Sequence, residues 1–104
     1  MATIVIFTRL RAQPGRAAAL RDAFDSLVAS AAREPGTLVF AVHEAADDPD
    51  LLLCYEAYRD DAALAEHRAS GAVRDAVDRF GDLVAEPPAV TYARYLAGPG
   101  VPFA

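Results

Sequence analysis

The stretch Thr37-Leu38-Val39-Phe40-Ala41-Val42-His43-Glu44-Ala45, the polar run Ala46-Asp47-Asp48-Pro49-Asp50 and the apolar run Leu51-Leu52-Leu53-Cys54-Tyr55-Glu56-Ala57-Tyr58 occupy the middle of this 104-residue chain. Two strand-like runs flanking a turn-forming segment predict a β-hairpin with a long loop over 46–50. N-terminal to it, Thr3 to Arg11 alternates, with Ile4, Ile6, Thr8 and Leu10 on one side and Thr3, Val5, Phe7 and Arg9 on the other, which predicts a first strand. Pro14-Gly15 breaks that strand. From Arg16 the apolar spacing Leu20, Phe24, Leu27, Ala31 predicts a helix that ends near Arg33, before Pro35-Gly36.

C-terminal to the hairpin, Asp60 is placed to cap a short helix through His67, and Ser70 to cap a second carrying Val73, Val77, Phe80 and Leu83. Val90 to Leu96 alternates as a last strand. The order β-α-β-β-α-β, with a hairpin between two strand-helix units, predicts an α+β ferredoxin-like domain: an antiparallel four-stranded sheet with its helices on one face. The domain should cover residues 1–97, followed by a tail over 98–104 that contains Gly98-Pro99-Gly100. Val5, Phe7, Val39, Leu51 and Leu53 put apolar side chains on both faces of the strands. The face away from the helices therefore needs a cover, and a second copy of the chain supplies it in a symmetric homodimer.

Composition narrows the function classes. Hydrophobic residues make up 54% and charged residues 24%, the balance of a folded globular domain. The net charge of -5 opposes binding to nucleic-acid phosphates and anionic membranes. No apolar run reaches the roughly 20 residues of a membrane span, and Met1-Ala2-Thr3-Ile4 has no basic leader region, so the expectation is a cytoplasmic protein. Every basic residue apart from the two histidines is Arg, and the absence of Lys removes Schiff-base chemistry. Cys54 is the single cysteine and has no intrachain partner. His43 and His67 lack metal-ligand spacing, and no dinucleotide, phosphate-loop or serine-hydrolase motif is present, so neither metal nor cofactor is expected.

Alternation puts Cys54, Glu56 and Tyr58 on one strand face, while Glu66-His67 and Arg74 fall on the helices that follow. If that face looks at the helices, a carboxylate, a phenol, an imidazole and a guanidinium converge on an apolar cavity. Taken singly, each has a simpler role: Glu56 paired with an Arg, Tyr58 closing the core, His67 half exposed.

The chain resembles the antibiotic biosynthesis monooxygenase family at Glu34-Pro35-Gly36-Thr37-Leu38, at Asp48-Pro49, at Tyr55-Glu56-Ala57-Tyr58 and along Asp61-Ala62-Ala63-Leu64-Ala65-Glu66-His67-Arg68-Ala69-Ser70. The resemblance runs from the first strand to about Leu96. It implies a dimeric α+β barrel and a cofactor-independent oxidation of a quinol, anthrone or polyketide-like aromatic by dioxygen. Where haem-degrading relatives carry an Asn, a Trp and a His, this chain has Thr8, His67 and Val77, which argues against haem degradation. Where anthrone-oxidising relatives carry an Asn, a Trp, a Tyr and an Arg, it has Cys54, Tyr58, Leu64 and Arg74. His67 is similar to the histidine of quinol monooxygenase-like members.

The resemblance thus implies His67 as general base, Arg74 stabilising the phenolate or the developing oxygen anion, and Tyr58 on the ring, with Glu56, Cys54, Thr8 and Phe24 as substrate-binding residues. A non-catalytic small-molecule-binding member of the fold, or a cyclase or isomerase using the same pocket, are the alternatives.

Overall fold

The computed structural model describes residues 3–101. Met1-Ala2 and the end of the expected tail, 102–104, lie outside the described residues. The elements are β1 (Ile4–Arg11), α1 (Ala17–Ala31), β2 (Thr37–Ala45), β3 (Asp48–Tyr58), α2 (Asp61–Ala69), α3 (Gly71–Phe80) and β4 (Ala89–Arg94). They form one antiparallel sheet in the order β2-β3-β1-β4. This is the ferredoxin-like arrangement, with its second helix in two pieces.

Local chemistry explains the boundaries. Pro14 and Gly15 occupy the centre of a turn closed by the Arg16 N–H donating to Gln13 O at 2.9 Å, and Gly15 has φ +77°. That is the left-handed third position of a type II turn, which favours glycine. The Asp60 carboxylate accepts from Ala63 N at 2.9 Å and the Ser70 hydroxyl from Val73 N at 3.2 Å, so both expected caps are made.

The hairpin differs from the expected long loop. Only Ala46 and Asp47 turn, and β3 already begins at Asp48, paired with Ala45. The acidic segment is held as strand by its partners. Asp48 takes a hydrogen bond from Arg11 at 2.9 Å, and the Ala12 N–H donates to Asp50 O at 2.8 Å. Register slips between Glu44 and Ala45, where β3 accommodates its extra residues including Pro49.

Register sorts the side chains into two faces. On the helix side Leu10, Leu52 and Cys54 pack with Leu20, Ala23, Phe24, Leu27 and Ala76, and Ile6 and Tyr58 form a second cluster with Ala63 and Leu64. On the opposite face Val5 and Ala57 are buried among Val39, Tyr55, Ala93, Tyr95 and Val101, so part of the tail folds back on the sheet. Phe7 stays 50% exposed and Leu53 39% exposed on that face. No helix among the described residues is long and apolar enough to cross a membrane.

Candidate active site

Between the helices and the sheet lies a mostly apolar pocket of about 240 Å³. Its lining includes Thr8, Phe24, Phe40, Glu56, His67 and Arg68. Strand β1 delivers Thr8, β3 delivers Glu56, and α2 delivers His67 one helical turn after Leu64 and Ala63, the other buried residues of that helix.

His67 is 5% exposed, and its ring stacks at a tilt between Phe40 and Tyr58, at centroid distances of 5.5 and 5.1 Å. Its Nδ1 lies 2.8 Å from Glu34 Oε1, which also accepts from the Thr37 hydroxyl at 2.6 Å. A carboxylate only accepts, so this contact assigns the ring proton to Nδ1. In the neutral ring Nε2 then carries the lone pair. It lies 3.9 Å from Glu56 Oε1, too far for a hydrogen bond but on the side of a pocket-lining carboxyl. An imidazole held from behind by a carboxylate, with its second nitrogen towards an apolar hollow, is the arrangement of an oriented general base.

Gly36 makes this contact possible. A Cβ built there would stand 2.4 Å from Ala63 Cβ, so only glycine lets the turn between α1 and β2 press against α2. The Arg59 N–H donates to Gly36 O at 2.9 Å and ties the turn to the end of β3.

The groups behind the pocket are tuned by burial. Burial pushes the Glu56 carboxyl above its ordinary value, against the opposing pull of the Tyr58 hydroxyl, His67 and Arg68. Tyr58, completely buried, donates to Glu56 Oε1 at 2.5 Å. Burial and the neighbouring carboxyls keep its phenol protonated well beyond the ordinary tyrosine range. Burial, with Glu56 adding, pushes the Cys54 thiol up to about 12, so at neutral pH it is an inert thiol in the core.

Of the seven residues singled out from sequence, Thr8, Phe24, Glu56 and His67 line the pocket. Tyr58 and Cys54 sit beneath it. Tyr58 communicates with the pocket through Glu56 and His67, and Cys54 packs with Leu10, Leu52 and Phe24. Arg74 does not join them. Ser70 caps α3 and restarts the helical period, so Val73, Ala76 and Phe80 turn inward, and Arg74 faces solvent with its guanidinium on Ala69 O at 3.3 Å. The guanidinium at the pocket belongs to Arg68, which sits over the Tyr92 ring at 5.1 Å and donates to the Tyr92 hydroxyl.

Sequence reasoning missed Glu34, Phe40, Arg68 and Tyr92. Phe40 was accessible from register, because it pairs with Glu56 across the hairpin. Glu34 gave a weaker signal, since the Glu34-Pro35-Gly36 stretch reads first as a helix stop.

A single ferredoxin-like domain with an imidazole-carboxylate pair in a helix-sheet pocket defines a class of small α+β proteins. The chain matches the family model described as antibiotic biosynthesis monooxygenase over residues 3–79 and belongs to that family. It is 32% identical over 88 residues to Rv0793 of Mycobacterium tuberculosis, a protein provisionally named a monooxygenase, covering 85% of this chain and 86% of that one. The solved structure of Rv0793 superimposes with a TM-score of 0.87 at 28% identity, over 94% of this chain and 99% of that chain. PA3566 of Pseudomonas aeruginosa is similar with a TM-score of 0.86 at 27% identity, over 93% of this chain and 97% of the other. A Nitrosomonas europaea protein, also provisionally named for antibiotic biosynthesis monooxygenase activity, gives 0.86 at 26%, over 90% and 99%. Family and relatives together support a monooxygenase-type function.

Proposed function

We propose that this protein is a cofactor-independent monooxygenase that oxidises a small phenolic aromatic, a quinol before an anthrone, with dioxygen. The observation that carries the reading is the His67 ring, fixed through Nδ1 by Glu34 and lining the apolar pocket with Nε2 as the acceptor. Nε2 takes the phenolic proton, and the resulting anion is electron-rich enough to reduce dioxygen. One oxygen atom ends on a ring carbon that loses hydrogen, the other leaves as water, and the substrate supplies the electrons. Glu56 Oε1, 3.9 Å from Nε2, puts a carboxyl whose pKa burial raises on the same side of the ring.

Size supports the choice of substrate. A dry cavity of about 150 Å³ accepts benzene, so the pocket of about 240 Å³ suits one or two fused rings better than three. Arg68, at the pocket wall, takes the anion-stabilising role that the resemblance implied for Arg74. The working unit in this proposal is a homodimer, in which a second copy covers Phe7, Leu53 and Tyr55 on the open sheet face.

Turnover in isotopically labelled dioxygen tests the reaction class. A quinone product carrying one labelled oxygen atom, with the other in water, is expected. Conversion of the substrate without label and without oxygen uptake would point to an isomerase or cyclase. Binding without conversion would point to a carrier.

A further inference from the structure

A second, larger hollow of about 540 Å³ adjoins the base pocket and is lined by residues including Ile4, Asp61, Leu64, Arg68, Tyr92 and Arg94. Leu64, Arg68 and Tyr92 line both hollows, so the two meet along these side chains. The second hollow contains no imidazole and no buried carboxyl, and nothing in it resembles a base. Its charged groups are two guanidiniums and one carboxylate.

Neither guanidinium is held in an ion pair among the described residues, although Arg68 already serves the Tyr92 hydroxyl and ring and acts on the Glu56 carboxyl. Arg11 pairs with Asp48 and Glu86, Arg21 with Glu44 and Arg59 with Asp60. Among the described residues, neither Arg68 nor Arg94 has a carboxylate within salt-bridge distance. Arg68 uses one N–H on the Tyr92 hydroxyl, and a guanidinium has five. In a chain of net charge -5, two such groups converging on one hollow make a local positive site. With Asp61 counted, the hollow carries a formal charge of one positive unit, which suits a single carboxylate better than a doubly charged phosphate.

We propose that this hollow is a subsite for a carboxylate substituent of the substrate, held by Arg68 and Arg94, while the phenolic ring lies in the base pocket. The proposal rests on the phenol-oxidising reading and narrows it to aromatic acids. Arg68 is the hinge of the arrangement, since it faces the ring on one side and the carboxylate on the other. Planar guanidinium groups recognise carboxylates with directional, charge-assisted hydrogen bonds.

The test is equilibrium binding without oxygen, so that turnover plays no part. Affinities of the wild-type protein for 2,5-dihydroxyphenylacetate and for its methyl ester are measured by calorimetry, then repeated with Arg68→Gln, Arg94→Gln and the double variant. Both side chains are exposed, and circular dichroism checks that each variant is folded. The acid is expected to bind the wild type about 10-fold or more tightly than the ester. Each single variant should shrink that ratio, and the double variant should bring it near one. A ratio near one in the wild type, an undiminished ratio in the variants, or no binding of either compound overturns the subsite. If the acid binds with the expected preference but consumes no oxygen in air, the oxidation reading fails and the carboxylate subsite stands.

Discussion

Glu34 Oε1 and His67 Nδ1 are 33 residues apart in the chain and 2.8 Å apart in the fold. This contact joins the turn after α1 to the second half of α2 and decides which nitrogen of His67 can accept a proton. Glu34→Gln keeps the shape but can present an amide N–H to the ring, which allows the opposite tautomer. The expected outcome is a fall in kcat of roughly 10-fold or more with KM little changed. Steady-state kinetics with a hydroquinone check it, and an unchanged kcat would remove Glu34 from the mechanism.

Gly36 should tolerate no side chain. With a Cβ 2.4 Å from that of Ala63, Gly36→Ala forces the turn off α2 and should cost about 1–3 kcal/mol, the range for overpacking a close contact. Ala63→Gly reopens the space. The double variant should therefore be more stable than the sum of the two single losses predicts, in urea unfolding. Strict additivity would show that the approach of turn and helix is not limiting.

Stability should depend on pH through Glu56. Its folded-state pKa is raised by burial above the ordinary value near 4.5. Between those two values the native state holds more protons than the unfolded chain, so this group's contribution is present below the unfolded value and is lost as pH rises. Glu56→Gln removes that dependence while leaving an oxygen to accept from Tyr58. The Tm of the variant relative to wild type should rise as pH increases from about 4 to about 8. A pH-independent difference would contradict the assignment.

The open sheet face gives a prediction about assembly. Phe7 and Tyr55 stack at 5.3 Å there, next to Leu53, with Phe7 half exposed. Light scattering at micromolar concentration should give twice the chain mass, and Phe7→Asp with Leu53→Asp should shift it to monomer. A wild-type monomer under those conditions would rule out the homodimer.

Much of this architecture was legible because the chain keeps clean periods. The alternation of β1, the Leu20-Phe24-Leu27-Ala31 stripe and the Asp60 and Ser70 caps each determine an element from local chemistry. Where prediction failed, the deciding contact was distant. Asp48 becomes strand because Arg11 reaches it across the sheet, and no local rule distinguishes that from a polar loop. Arg74 turns outward because the Ser70 cap sets the phase of α3, and the residue pattern placed Arg74 on that helix without fixing which way it faces. Glu34 belongs to the site through a fold-level approach that depends on the missing side chain of Gly36.

The most direct test of the account is oxygen uptake by metal-free protein with a panel of one- and two-ring hydroquinones and an anthrone, comparing wild type with His67→Ala. The account predicts uptake by the wild type without added cofactor, faster for the smaller rings, and a loss of roughly 100-fold or more in His67→Ala, the magnitude of a missing general base. Equal uptake by the folded His67→Ala variant, or wild-type uptake that appears only on adding flavin or iron, would contradict it.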